Sequence, residues 1–159
     1  MLKPEYVVTR SATGVAIALS LVLAGRALAD GFVPPPNANI VSVASYGAIP
    51  GDGLDDTAAF QAALSANVGR GVILYIPDGI YNLSDRLNWG GIGSGAFISV
   101  QGQSQAGTVL KLADNAVGFG NVNSTKVFVD AYEGNTANAF QNYLADLTID
   151  VGNGNPGVV

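Results

Sequence analysis

Ser45-Tyr46-Gly47-Ala48-Ile49-Pro50-Gly51-Asp52-Gly53-Leu54-Asp55-Asp56-Thr57 runs directly into Ala58-Ala59-Phe60-Gln61-Ala62-Ala63-Leu64-Ser65-Ala66, and the change of character at Thr57 decides how the chain is read. Before it, Gly47, Pro50, Gly51 and Gly53 punctuate a tight loop; glycine enters the φ > 0 region at little cost and proline presets a turn. After it, alanine-rich sequence favours a helix. Phe60, Ala63, Leu64 and Asn67 fall at i, i+3, i+4 and i+7, one face that is apolar apart from its last member. Asp55 or Asp56 stands where an N-cap belongs, with a carboxylate to accept the orphan amides of the first turn and complement the helix dipole. Gly69 and Gly71 end the helix.

Outward from this stretch the period becomes strand-like. Ile40–Val43 upstream is apolar and β-branched. Downstream, Val72–Ile76 is a near-continuous apolar run, as in a parallel strand buried on both faces. Pro77-Asp78-Gly79 is a turn, and Ile80–Leu83 alternates. Leu87–Trp89, Phe97–Val100, Thr108–Leu112, Lys126–Val129 and Leu144–Val151 continue the series. In the last, Leu147, Ile149 and Val151 point one way, and Asp146, Thr148 and Asp150 the other. Glycine- and asparagine-rich turns separate these runs. The irregular connections and the wholly apolar strand fit stacked coils of parallel strands, whereas an up-and-down barrel or sandwich gives hairpin turns between alternating strands. The pattern alone leaves both open.

Composition excludes several functions. The 159 residues contain 21 glycines, no cysteine and no histidine, and only 12% are charged, against about 25% in an ordinary soluble domain. Disulfides, thiol nucleophiles, zinc–sulfur sites and histidine bases are therefore absent. With 48% hydrophobic residues the chain does not have the composition of a disordered one. A net charge of −5 argues against nucleic acid as a partner.

Residues 1–29 read as a secretory signal peptide. Lys3 and Arg10 precede an uncharged stretch from Ser11 to Gly25, and Ala27-Leu28-Ala29 supplies small residues at a cleavage site. The apolar heart, Val15–Ala24, is shorter than the about 20 residues of a membrane span. Cleavage after Ala29 removes Lys3, Arg10, Arg26 and Glu5, leaving four basic and eleven acidic residues, a net of −7. The expected mature protein is secreted, extracellular or periplasmic, with no membrane contact after cleavage. Residues 30–39, with Pro34-Pro35-Pro36, read as a linker.

The chemistry-bearing residues are few. Asp52, Asp55 and Asp56 form a carboxylate cluster, but an EF-hand needs oxygens at alternating positions and a closing glutamate, so turn and cap roles explain them better. Asp146 and Asp150 share a strand face, yet four residues of strand rise about 13 Å, beyond the about 5–9.5 Å of a glycosidase pair. They are weak catalytic candidates. Tyr75, Tyr81, Trp89, Tyr132 and Tyr143 offer rings for sugar stacking. Tyr75 and Tyr81 lie in strands and read as packing, which leaves Trp89 and Tyr132 as the weak stacking candidates. The Gly90–Gly95 loop is no phosphate loop, because neither a lysine nor a helix follows.

The opening stretch, Val43 to Leu64, resembles the signature of the pectate lyase superfamily of right-handed parallel β-helix proteins, which includes rhamnogalacturonase and epimerase-like domains. The carrying residues are Gly47, Gly51, Asp52, Gly53, Asp55, Asp56, Thr57 and Phe60, with one extra residue, Pro50, beside Ile49. Gly71–Tyr81, with Pro77 and Gly79, is similar to the family's first coil; Val100–Ser104 with Thr108–Leu110, then Leu147–Asp150 with Gly152–Gly157, resemble later steps. The resemblance covers about residues 40–157. It implies a mostly β solenoid whose N-terminal helix caps the stack, Phe60 and Leu64 plugging its end. It further implies a polysaccharide partner and glycosidic cleavage by elimination or hydrolysis, with a carbohydrate-binding or adhesion β-helix, tailspike-like, as the non-catalytic alternative. Family members are generally longer. The expectation is therefore an N-terminal portion, with catalytic residues beyond Val159 and an inactive fragment as a further alternative. No cofactor is evident, and the resemblance leaves room for calcium in the full-length protein. The acidic mature chain does not favour a polyanionic substrate, so a neutral glucan stays open, as does the oligomeric state.

Overall fold

The computed structural model describes residues 39–89, 98–131 and 142–159. The expected leader, the proline-rich stretch apart from Asn39, the Gly90–Gly95 loop and Tyr132 lie outside the described residues. Within these residues the chain is mostly β, with parallel sheets and one α-helix.

Strand β1 (Ile40–Ser42) leads through a 3-10 turn at Val43–Tyr46 and the acidic loop into helix α1 (Thr57–Asn67). Strands β2 (Val72–Ile76), β3 (Gly79–Leu83) and β4 (Leu87–Asn88) follow, then β5 (Ile98–Gly102), β6 (Thr108–Leu112) and β7 (Val129–Asp130), then β8 (Tyr143–Ala145) and β9 (Thr148–Asp150). They form three parallel sheets in the orders β1-β2-β5-β8, β3-β6-β9 and β4-β7. The chain thus visits three ladders in turn. Register is held without slippage: Leu74 pairs with Val100 and Val100 with Leu144; Tyr81 pairs with Leu110 and Leu110 with Ile149. A shift of one residue would turn each apolar column to solvent.

Three expectations about strands change. Val72–Ile76 is apolar throughout but buried on one face only: Val72, Leu74 and Ile76 are buried, whereas Ile73 and Tyr75 are half-exposed. Leu144–Val151 is not one strand. Its ends join different sheets, and the bend falls at Asp146, which takes φ 51°. Of Lys126–Val129, only Val129 pairs within a strand, while Lys126 makes a single bridge to Val158.

The first edges of the three sheets are covered by three different devices. The edge of β2 is covered by β1. The edge of β3 receives backbone amides from the acidic loop, Gly51 N–H to the Ile80 carbonyl at 2.9 Å and Asp56 N–H to the Asn82 carbonyl at 2.8 Å. The edge of β4 is met by a side chain. The Gln61 amide accepts from Asn88 N–H at 3.0 Å and donates to the Asn88 carbonyl, imitating a strand. Phe60, Ala63 and Leu64 point from α1 into the core, and Phe60 meets Tyr81 edge-on at 5.2 Å. Asn67, the polar member of that face, is buried because its Nδ2 donates to the Tyr46 hydroxyl at 2.9 Å and the Ala63 carbonyl at 2.8 Å.

The acidic loop divides its work differently from the capping expectation. Asp56 is the residue before the helix but makes no side-chain cap bond; its Oδ1 instead accepts Ile49 N–H at 2.9 Å and staples the loop backward. Asp55 takes the first-turn amide, Thr57 N–H, at 2.9 Å, and also accepts both the Thr57 and Ser84 hydroxyls. Partial burial pushes the Asp55 carboxyl up, but the bonds from Ser84 and Thr57 outweigh it and hold the group below its ordinary 3.8. Burial raises Asp56, against the Ile49 bond and with Asp52 adding to it. Asp52 Oδ1 accepts Leu54 N–H at 2.8 Å, an Asx turn.

Two measurements check this arrangement. Phe60 is 1% exposed, so Phe60→Ala is expected to lower unfolding free energy by about 3–5 kcal/mol in urea titration; a loss under about 1 kcal/mol would mean the ring's packing is dispensable. Because Asp55 is held below 3.8 in the fold, its contribution is present above that pH and lost as pH falls through the lowered value. The stability gap between wild type and Asp55→Asn should accordingly be open at neutral pH and close in acid. A gap independent of pH would contradict the assignment.

Candidate functional site

Because successive side chains of a strand alternate, the register of β1, β2, β5 and β8 also defines an outward face. Tyr75 aligns with Gln101 and Ala145, and Ile73 aligns with Ser99 and Tyr143. The face therefore carries Ile40 and Ser42 on β1, Ile73 and Tyr75 on β2, Ser99 and Gln101 on β5, and Tyr143 and Ala145 on β8. Tyr143 is 54% exposed and Tyr75 half-buried. Tyr143 lies two strands across and two residues along from Tyr75, a diagonal of about 12 Å at ordinary strand spacing.

Polar groups border this face. Asp146 follows β8, and its Oδ2 accepts from Gln101 Nε2 at 2.6 Å; the same nitrogen also donates to the Gly102 carbonyl at 3.1 Å, which fixes the plane of the amide. The approach of the two rungs here leaves no room at Gly102, where a Cβ would strike the Asp146 carbonyl. At the β2–β3 turn, Asp78 Oδ1 accepts the hydroxyls of Ser104 at 2.8 Å and Thr108 at 3.1 Å, while Gln103 Oε1 accepts Asp78 N–H at 3.1 Å. Burial, with Asp78 adding to it, raises the Tyr75 phenol, so it stays neutral. Tyr81, on the inner side, is pushed up to about 12 by burial and then by Asp56, and serves the core.

The sequence candidates are scattered. Asp146 and Asp150 do not share a strand face: Asp146 is bonded to Gln101 of the first sheet, and Asp150 lies on the outward side of the second, in register with Lys111. Asp150 Oδ1 accepts Gly152 N–H at 2.9 Å, closing a turn. Trp89 is 3% exposed, a core residue rather than an open stacking platform, and its Nε1 donates to Asn142 Oδ1 at 3.3 Å. It lines, with Phe128, Leu144, Ile149 and Val158, an apolar cleft of about 490 Å³ at the far end of the ladders. Gly47, Gly51, Gly53, Asp52, Asp55, Asp56 and Thr57 build the loop and helix entry described above. Pro77 lends its carbonyl to the Tyr81 hydroxyl at 3.0 Å, and Gly79 takes φ 147° against Pro50. Among the described residues no group of three or more acidic side chains is placed to hold a metal ion, and no helix is long and apolar enough to cross a membrane. The outward face was missed in the sequence because Tyr75 sits in an apolar run. Only the register brings it onto one surface with Tyr143.

A family profile described as rhamnogalacturonase A/epimerase, pectate lyase-like, matches residues 40–158. A solved structure, titled the crystal structure of Agl-KA catalytic domain, is 36% identical over 52% of this chain and 14% of that one, with a TM-score of 0.45. The chain thus spans about a seventh of the length of that structure. No curated protein matches the sequence. The four motifs quoted from Val43 to Gly157 lie inside the matched span, and the chain belongs to the rhamnogalacturonase A/epimerase, pectate lyase-like family.

Proposed function

We propose that this chain is part of a secreted, polysaccharide-active protein of right-handed parallel β-helix fold, with α1 as its N-terminal cap and the outward face of the β1-β2-β5-β8 sheet as its sugar-contacting surface. Family membership supports a polysaccharide as the partner. The observation that carries the surface is the register placing Tyr75, Ser99, Gln101 and Tyr143 together beside Asp146. Aromatic rings offer apolar faces to sugar C–H groups, and fixed amides and carboxylates bond their hydroxyls. The three ladders visited in turn support the solenoid, and parallel crossovers are right-handed as a rule. The basic start, apolar stretch and Ala27-Leu28-Ala29 support export with cleavage after Ala29.

The activity expected of such a protein is cleavage of glycosidic bonds in pectin-like or other cell-wall polysaccharide, by elimination or hydrolysis. A second reading, binding without cleavage, is favoured by one observation: Asp146 and Asp150 fall on different sheets, each engaged in structural hydrogen bonds.

Affinity electrophoresis through gels containing soluble polysaccharide tests the contact surface. Retardation is expected, and Tyr143→Ala should weaken it about threefold to tenfold, the loss of one stacking contact. Unchanged retardation in that variant would remove the surface assignment. Release of reducing ends or of ultraviolet-absorbing unsaturated products separates cleavage from binding. N-terminal sequencing of the exported protein should find Asp30 first, and an intact Met1 would reject the leader.

A further inference from the structure

We infer that the outward face of the β1-β2-β5-β8 sheet takes a neutral polysaccharide and discriminates against polyuronates, which leaves hydrolysis and not elimination for any cleavage, since elimination needs a sugar carboxyl group beside the proton removed; this rests on the proposed sugar-contacting role of the same face. The argument is one of charge placement. From Asn39 to Val159 the chain has four basic residues, Arg70, Arg86, Lys111 and Lys126. None belongs to β1, β2, β5 or β8. Arg86 pairs with Asp130 at 3.5 Å, and Lys126 pairs with Asp85 and stands over the Phe119 ring at 4.6 Å. Arg70 Nη1 donates to the Ala66 carbonyl at the end of α1, at 3.2 Å. Lys111 lies on the outward side of the neighbouring sheet, in register with Asp150. The internal stretches outside the described residues add no Lys or Arg, only Glu133.

What the face offers is therefore two phenol rings, two serine hydroxyls, an amide, the aliphatic side chains of Ile40 and Ile73, and bordering carboxylates. Recognition of a sugar carboxylate calls for an Arg fork or a Lys ammonium. Here a uronate would meet Asp146 and Asp78 instead, and the desolvated like charges would repel. The hydroxyls of a neutral sugar face the opposite situation, because they donate to carboxylates and to the amide oxygen while the ring stacks on tyrosine. The Gln101–Asp146 bond holds the two planar polar groups in one geometry before any ligand arrives. The two tyrosines sit far enough apart that a chain, not a single ring, is needed to engage both.

Affinity electrophoresis of the whole chain in gels containing dextran, mixed-linkage β-glucan or polygalacturonate, the last with calcium or with EDTA, tests this. Retardation by at least one neutral glucan, with none by polygalacturonate in EDTA, is expected. Tyr143→Ala and Gln101→Ala should each weaken it about threefold to tenfold, Tyr143→Trp should preserve it, and Ile80→Ala on the neighbouring sheet should leave it unchanged. Ser99→Lys places a cation on the face and should gain retardation by polygalacturonate. Equal or stronger retardation of the wild type by polygalacturonate in EDTA would overturn the neutral-substrate inference while leaving a polysaccharide role standing. Retardation by polygalacturonate only with calcium would likewise overturn it, with a bridging cation as the cause. Retardation by none of the gels would overturn the polysaccharide reading itself, and the inference with it.

Discussion

The edge of a parallel strand leaves a row of N–H and C=O groups that only water satisfies unless the protein covers them. Burying such an edge calls for a protein partner, and a short hairpin cannot bring a parallel one. In this chain the first rung meets that requirement in three ways at once: a true strand against β2, loop amides against β3, and the Gln61 side chain against β4. Once those edges are held, each later strand has a template of fixed register. The apolar columns follow from the template. Leu74 and Val100 are 0% and 4% exposed beneath a following strand, whereas Leu144, on the last strand of that sheet, is 39% exposed. Burial in this architecture comes from the neighbouring rung as well as from the sequence of the strand itself.

The helix entry shows the same economy. Two adjacent aspartates, chemically identical, take opposite electrostatic environments within one loop. Asp55 is surrounded by hydroxyl and amide donors and kept ionised; Asp56 is buried with one donor at Oδ1, and no partner is present at Oδ2. The first fixes the start of the helix and ties it to Ser84. The second draws Ile49 back over the helix end. The loop conformation so defined puts the backbone of Asp56 where β3 needs it.

Local elements were legible because their causes are local. The 3.6-residue pattern of Phe60, Ala63 and Leu64 marks the helix, and the short β-branched and apolar runs mark β2, β3, β5 and β6. What sequence could not show is what depends on non-local pairing. Leu147, Ile149 and Val151 alternate as a single strand would, yet the chain changes sheets at Asp146, and a two-residue period carries no trace of that change. Lys126–Val129 looks like a strand, but only Val129 finds a strand partner, in β4. The role of Asp56 was hidden because its partner, Ile49, lies seven residues earlier across the loop. The candidate surface was hidden for the same kind of reason: Tyr75 and Tyr143 share a face only after two inter-strand registers have been added. Trp89 beside a glycine loop suggested an exposed ring, and the core claimed it.

The ladder geometry also sets how the polypeptide reaches this state. Ile73 pairs with Ser99, Val109 with Ile80, Leu87 with Val129, and Ser99 with Tyr143, separations of 26 to 44 residues. Every rung therefore closes a long loop before its contacts repay the lost chain entropy, which makes such topologies slow to form. The contacts of α1 with the adjacent 3-10 turn are short-range by comparison. Assembly that starts at this end and adds rungs in chain order keeps one growing edge exposed at a time, the same order in which a ribosome delivers the chain.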